Sequence, residues 1–251
     1  MQGKKRGVLK MAKKGIVLGL GVFFLFVGMV AHTQEKVQNR TVSERFIAQV
    51  DFSSWIGESF KVSPDSKQVA YRAKIGEKQI VVVDGKEGEQ YDGIGKDSLI
   101  FSPDSKRVAC AAGIGEKWFI VVDGKEGEQY DGIGKDSLIF SPDSKRVACA
   151  AKIGKWLISN KWFVVVDGKE GKQYDGIGTD PIFSPDSKWV AYVAQIGEKQ
   201  FVVVDGKERK QYDSIVTIGG GRIVFDSSDS LHYLAFIKNN IYLIEERIEL
   251  W

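Results

Sequence analysis

Histidine and cysteine are scarce in this sequence, which has two of each in 251 residues. The histidines, His32 and His232, are far apart, and neither forms a Cys/His cluster with the ligand spacing of a zinc site. We therefore expect no metal site and no cofactor. Proline is scarce as well, with five residues against 28 glycines, and this composition indicates many turns. The apolar runs are rich in valine, isoleucine and aromatic residues, which favours strands.

The main part of the chain also lacks an excess of positive charge. The formal net charge is +3, but six basic residues precede the first acidic one. Without residues 1–31, acidic residues outnumber basic ones by three. A nucleic-acid-binding domain normally has a basic face, so we expect no nucleic-acid partner.

The N-terminus has the pattern of an export signal. Residues 1–14 are basic, residues 15–31 are apolar and uncharged, and polar sequence follows at once. A span of the bilayer takes about 20 apolar residues, so an uncleaved anchor remains the alternative to cleavage after Thr33. We predict a signal peptide or membrane anchor over 1–33 and a linker over 34–45. The protein is then exported to the periplasm or the outside, and it touches the membrane only through the N-terminal segment.

The rest of the chain is an array of repeats. Residues 84–112 recur letter for letter as residues 123–151, a shift of 39. Looser copies on either side give units at 60–100, 101–139, 140–182 and 183–223, and a degenerate fifth at 224–251. Each full unit has an SPDS turn, a strand of small residues, an apolar strand ending in a DG hairpin, and an outer segment with tyrosine. A period near 40 with four strand signals per unit is typical of propeller blades.

The SPDSK turn, followed by VAC or VAY and then a VVVDG strand, resembles the WD-like propeller repeats of the TolB type. Similar repeats form the propellers of prolyl-oligopeptidase-type enzymes. That family usually has glycine after SPD, where this chain has serine: Ser66, Ser105, Ser144 and Ser187. The chain has no room for the N-terminal α/β domain of TolB and no G-x-S-x-G nucleophile elbow. The resemblance therefore implies a propeller fold without supporting the function of either family.

Strand signals predict an all-β fold, a five-bladed propeller of four-stranded antiparallel blades preceded by an N-terminal signal or anchor helix. The propeller covers residues 46–251. The fifth unit supplies only three strands, and we expect residues 46–59 to add the fourth and join the two ends of the ring. Such closure removes an exposed sheet edge.

Three aspartates form the first candidate site. Asp97, Asp136 and Asp180 each precede an innermost strand, beside the expected central channel. Converging carboxylates there would bind a cation or a sugar, and in some five-bladed propellers three such groups hydrolyse glycosides. General acid and base work needs carboxyls in unlike surroundings, whereas the surroundings of Asp97 and Asp136 are near-identical copies. Solvated loop ends are the alternative interpretation.

An insertion in the third unit forms the second candidate. Residues 152–162 read KIGKWLISNKW and lengthen one loop by five residues, adding Trp156, Leu157 and Ile158. Apolar residues on an exposed connector of a rigid scaffold mark a contact surface. The alternative is a loop that packs back on its own blade.

The two cysteines occupy one repeated position. Cys110 and Cys149 stand where other units have Tyr71 and Tyr192, and we assign Phe236 to this position in the fifth unit. A position that takes cysteine or an aromatic residue is a packing position, so we predict buried free thiols.

These features favour an exported, non-catalytic binding or scaffold module of the cell envelope, which presents the loops of one ring face to a protein or glycan. The alternative is a carbohydrate-active enzyme that uses channel carboxylates, and a third reading is a recent duplication with little evolved function. An enzyme needs distinct residues from distinct blades, and the near-identity of the repeats argues for binding.

Overall fold

A computed structural model describes residues 43–154 and 160–248. Within these ranges the chain is all-β, with strands, turns and loops only. The same ranges contain no helix with the length and hydropathy of a membrane span. The predicted export signal or anchor, residues 1–33, lies outside the described residues.

Five antiparallel sheets follow one another along the chain. The first sheet contains β1 (Lys61–Val62), β2 (Val69–Ile75), β3 (Lys78–Val83) and β4 (Lys86–Glu87). The second contains β5 (Gly93–Ile94), β6 (Ile100–Phe101), β7 (Val108–Ile114), β8 (Lys117–Val122) and β9 (Lys125–Glu126). The third contains β10 (Gly132–Ile133), β11 (Ile139–Phe140), β12 (Val147–Ile153), β13 (Lys161–Val166) and β14 (Lys169–Glu170). The fourth contains β15 (Gly176–Ile177), β16 (Ile182–Phe183), β17 (Val190–Ile196), β18 (Lys199–Val204) and β19 (Lys207–Glu208). The fifth contains β20 (Ser214–Ile215), β21 (Val224–Phe225), β22 (Ser230–Ile237) and β23 (Asn240–Arg247).

The second, third and fourth sheets share one strand order. The inner strand is split into two short pieces, and in the second sheet β5 and β6 pair with opposite ends of β7. Strand β7 pairs with β8, and β8 pairs with β9. A bridge from Tyr130 to Trp118 extends the outer strand, which confirms the outer position predicted for Tyr130. With its two inner pieces counted as one strand, each of these sheets is the predicted four-stranded antiparallel unit.

The predicted turns are confirmed in detail. In the first SPDS turn the Ser66 amide donates to the Ser63 carbonyl, and the Ser63 hydroxyl donates to Asp65. At the DG hairpin, Asp84 and Gly85 have φ values of 49° and 79°. Positive φ at both central residues is the requirement of a type I′ turn, in which glycine and aspartate carry little strain.

The serine that departs from the family pattern links neighbouring sheets. Ser105 accepts a hydrogen bond from the Asp65 amide of the sheet before it, at 3.0 Å. The same bond joins Asp104 to Ser144 at 2.9 Å and Asp143 to Ser187 at 3.0 Å. Glycine has no hydroxyl, so these sheet-to-sheet bonds explain the serine in the second, third and fourth units.

Apolar cores fill the spaces between consecutive sheets. Phe119, Phe163 and Phe201 occupy equivalent places in them and are at most 1% exposed. Each meets a tyrosine edge to face; the centroids of Phe163 and Tyr130, for example, are 5.5 Å apart. Aromatic pairs at this geometry contribute about 0.5–1.5 kcal/mol beyond area burial.

The cysteine prediction is confirmed. Cys110 and Cys149 are unpaired, buried, and part of two different inter-sheet cores. Burial raises the pKa of both thiols to about 12. In the fifth sheet the equivalent position belongs to Tyr233, which pairs with Ile244 as Tyr192 pairs with Val203. The assignment of Phe236 to this position was therefore wrong by three residues.

The structure corrects the predicted closure of the ring. Trp55 bridges Ala73 of β2, and the Ile56 amide donates to the Arg72 carbonyl. The segment 46–59 thus forms the missing inner piece of the first sheet. Val50 and Trp55 pack on the face of that sheet that points away from the second sheet. It does not supply a strand to the fifth sheet. Within the described ranges, no hydrogen bond, ion pair or apolar core joins the fifth sheet to the first.

Candidate functional site

The loops that interrupt the inner strands carry the three predicted aspartates. Asp97 and Asp136 lie between the inner pieces of the second and third sheets, at φ values of 64° and 58°. Ser98 anchors the loop after Asp97, since its hydroxyl donates to Gly95 and accepts from the Ala111 amide. Ser137 repeats both bonds. Both aspartate side chains are exposed at these strained, well-anchored positions.

The corresponding loops of the fourth and fifth sheets break the repeat. From Ile177 to Phe183 the loop is one residue shorter than in the third sheet, and Thr179 accepts the bond from the Val193 amide in place of serine. From Ile215 to Phe225 the loop is three residues longer and contains three consecutive glycines. A Cβ on Gly221 would lie 2.4 Å from the Val216 carbonyl oxygen, so only glycine fits this fold of the loop.

These differences open a cleft of about 530 Å³ at the inner side of the third, fourth and fifth sheets. The third sheet contributes Lys135 and Trp162, the fourth contributes Thr179 and Asp180, and the fifth contributes Thr217 and Arg222. Trp162 is half-buried, and the Lys152 ammonium lies over its ring at 5.7 Å from the centroid. The lining thus combines an aromatic face with both signs of charge and the hydroxyls of two threonines and a serine. Such a mixture suits a polar ligand that has an apolar face.

Asp180 is exposed, as Asp97 and Asp136 are, but the protein around it disfavours its charged form. Desolvation by the surrounding protein, and then the nearby Asp136 carboxylate, raise the pKa of Asp180 above its ordinary value. Asp136 has a partner, since its carboxylate lies 3.7 Å from the Lys135 ammonium. Among the described residues no basic side chain lies within 4.0 Å of the Asp180 carboxylate. A ligand with a hydroxyl or ammonium group would therefore meet an acceptor without an internal counter-ion.

The predicted set of three aspartates is only partly brought together. The Asp136 carboxylate is close enough to raise the pKa of Asp180, but of the three aspartates Asp180 alone is among the residues that line the cleft. In the described ranges, no group of three or more His, Cys, Asp or Glu side chains is arranged to hold a metal ion. Trp156, Leu157 and Ile158 lie outside the described residues.

Sequence reasoning missed most of the cleft lining. Trp162, Thr217 and Arg222 were not singled out, and Lys135 was treated as part of the repeat. The available signal was the alignment of the inner loops, where GKDSLIF becomes GTDPIF in one unit and VTIGGGRIVF in the next. Glu58 was missed as well; it has φ 62° at the position of Asp97, in the segment that completes the first sheet.

Comparison with solved structures finds weak likenesses to β-propeller domains. No known protein family and no curated protein matches this sequence. The β-propeller domain of the trilobed protease from Pyrococcus furiosus is 16% identical over 74% of this chain and 67% of that one, with a TM-score of 0.41. TolB from Acinetobacter baumannii is 16% identical over 75% and 51% of the two chains, with a TM-score of 0.39. An acylaminoacyl peptidase from Pyrococcus horikoshii is 13% identical over 76% and 38%, with a TM-score of 0.37.

The chain is thus similar to β-propeller domains, TolB among them, as its repeats indicated. It spans about half of TolB and a smaller share of the peptidase. At these identities and scores the likeness adds no site residue, substrate or partner.

Proposed function

We propose that this protein is an exported, non-catalytic five-bladed propeller that binds a glycan or protein partner of the cell envelope. The observation that carries the proposal is the cleft around Asp180, which forms where the repeats differ from one another. Export rests on the order of basic, apolar and polar segments in residues 1–33.

The lining favours a short glycan as the first ligand to test. The Trp162 ring offers a flat apolar face, and the Asp180 carboxylate accepts hydrogen bonds from hydroxyls. Lys135 and Arg222, which also line the cleft, supply donors for hydroxyl or carboxylate oxygens of the ligand. About 530 Å³ lies within the range of small-molecule sites.

A thermal-shift screen of the protein against neutral and acidic oligosaccharides tests the proposal. A ligand at 100 times its dissociation constant stabilises the folded state by about 2.7 kcal/mol. In a protein of this size that corresponds to roughly 5–11 °C in the melting temperature. We expect Asp180→Asn to remove the shift and Asp97→Asn, outside the cleft, to retain it. If no oligosaccharide shifts the melting temperature, the glycan is wrong as the ligand; the protein partner is then tested by capture with wild-type protein and with Arg222→Glu.

A carbohydrate-active enzyme is the second candidate, and one observation favours it. Asp136 and Asp180 lie in unlike surroundings, and the raised pKa of Asp180 is the direction that a general acid needs. The test is release of a chromogenic aglycone from a panel of glycosides. Activity lost in both Asp136→Asn and Asp180→Asn, and kept in Asp97→Asn, would replace the non-catalytic proposal.

The export proposal has its own test. N-terminal sequencing of the protein recovered from the producing cell is expected to begin after Thr33. A start within residues 1–11 together with membrane fractionation would indicate the uncleaved anchor instead, and recovery from the cytosol would contradict export.

A further inference from the structure

Strand β23 of the fifth sheet has one edge without a partner strand among residues 43–154 and 160–248. All eight of its residues pair with β22, and in the described part of the chain no other strand pairs with it. In the second, third and fourth sheets the equivalent edge is covered by a short outer strand and a tyrosine bridge. A strand of this length with an open edge is a template for another strand.

The same strand has an exposed apolar face. Leu243 pairs with Leu234, and Ile241 pairs with Phe236, so these four side chains share one face of the sheet. Leu243, Ile241 and Leu234 are 57%, 58% and 39% exposed. The equivalent of Leu243 in the fourth sheet is Val202, which is fully buried because the fifth sheet packs against it. The fifth sheet therefore presents the kind of face that four other sheets bury against a neighbour.

The distribution of charge along β23 favours an antiparallel second copy of the strand as the partner. The first half of the strand, IYLI, is uncharged, and the second half contains Glu245, Glu246 and Arg247. A parallel copy would place glutamate against glutamate, which is destabilising. An antiparallel copy centred on Leu243 places Leu243 opposite its own copy and Ile241 opposite Glu245 of the second copy. No like charges then face each other, and Arg247 faces Asn239 of the second copy.

We propose that the open edge of β23 is an interface at which a second copy of this protein pairs antiparallel, with Leu243 on the two-fold axis. The arrangement is self-complementary, as a two-fold interface requires, and it pairs the backbone groups along the open edge of both copies. It is independent of the ligand proposed for the cleft.

Cysteine cross-linking in the full chain tests the pairing and its register. Opposed residues of antiparallel strands have Cα atoms about 4.5–5.5 Å apart, within the range of roughly 4.4–6.8 Å that a disulfide spans. We expect Leu243→Cys to give a disulfide-linked dimer in most of the protein under mild oxidation. Wild-type protein is the control for background, since Cys110 and Cys149 are buried.

Ile241→Cys is the matched control. In the proposed register its two copies lie four positions apart along the strands, or about 13 Å, so they do not cross-link. The double variant Ile241→Cys/Glu245→Cys brings cysteines opposite each other and restores the dimer. Adding Leu243→Lys to this double variant places two ammonium groups on the axis and is expected to lower the cross-linked fraction at least tenfold. Leu243 is exposed in the single chain, so this change leaves the fold intact.

Three results would overturn the proposal. The first is that Leu243→Cys stays monomeric after mild oxidation, and the second is that Ile241→Cys alone cross-links as much as Leu243→Cys. The third is a cross-linked product whose mass is not twice that of the chain. The last would assign the edge to a different partner.

Discussion

At the serine that ends each SPDS turn, backbone strain favours glycine, whereas a hydrogen bond between sheets favours serine. Its φ value is 58° at Ser66 and 65° at Ser144, where glycine is more favourable than any residue with a Cβ. Ser144 also accepts a hydrogen bond from the Asp104 amide of the preceding sheet. No described residue makes the equivalent bond to Ser66, which is exposed in the first sheet. Changing each to glycine therefore separates backbone strain from the inter-sheet bond.

The magnitudes predict opposite signs. A residue with a Cβ pays about 1–2 kcal/mol for a left-handed φ, and replacing it with glycine relieves this strain. Glycine also has more conformational freedom in the unfolded chain, which reduces the stabilisation by about 0.5–1 kcal/mol. Ser66→Gly is thus expected to stabilise the fold by about 0.5 kcal/mol. Ser144→Gly gains the same amount and loses a hydrogen bond worth about 1 kcal/mol, so it destabilises by about 0.5 kcal/mol.

Urea unfolding of the two variants measures the difference directly. The midpoint moves up for Ser66→Gly and down for Ser144→Gly, with unchanged slope, and the free energies of unfolding differ by about 1 kcal/mol. Ser187→Gly, which loses the bond to Asp143, is expected to follow Ser144→Gly. Equal shifts for the Ser66 and Ser144 variants, within about 0.3 kcal/mol, would refute a role for the inter-sheet bond.

Three further predictions concern acid, Asp180 and the thiols. Hydrogen bonds from Lys117 and the Gly154 amide lower the pKa of Asp131, and similar bonds recur at Asp92, Asp175 and Asp213. This stabilisation is present above the ordinary pKa of 3.8 and is lost as the pH falls through the lowered values, so the urea midpoint drops between pH 4 and pH 2; a flat profile there would contradict it. The pKa of Asp180 is raised instead, so ionisation of this carboxylate destabilises the folded protein as the pH rises. Asp180→Asn is therefore expected to raise the urea midpoint at pH 7 and to leave it unchanged at pH 3, in the same series of measurements. Cys110 and Cys149 are expected to resist a thiol reagent at pH 8 until urea unfolds the protein, and prompt labelling of either would show that its inter-sheet core opens.

The repeats made the local structure readable from sequence. Proline at the second position of SPDS, aspartate before glycine at the hairpin, and runs such as WFIVV predict turns and buried strands through short-range chemistry alone. Because the same signals recur four times, they also predict that Cys149 and Tyr192 hold equivalent packing positions. The fifth unit has weaker signals, and there the equivalence was placed at Phe236 instead of Tyr233.

The local signals of the repeats could not predict how the ring closes or where the cleft forms. Trp55 stands where the other units have isoleucine, so the segment before the first sheet was not aligned with the inner strands that it resembles. Whether five sheets join into a ring depends on small angles between sheets that no local pattern specifies. The cleft arises from Thr179, Asp180 and Arg222, at one deletion and one insertion, while the repeated letters drew attention to Asp97.

The measurement that tests the central proposal most directly is calorimetric titration of the best oligosaccharide into wild-type protein, Asp180→Asn and Asp97→Asn. If the cleft is the binding site, Asp180→Asn weakens binding at least tenfold, because a charged acceptor to ligand hydroxyls is lost, and Asp97→Asn binds as wild type does. Equal loss in both variants, or binding unaffected by Asp180→Asn, would contradict the assignment of the cleft as the functional site.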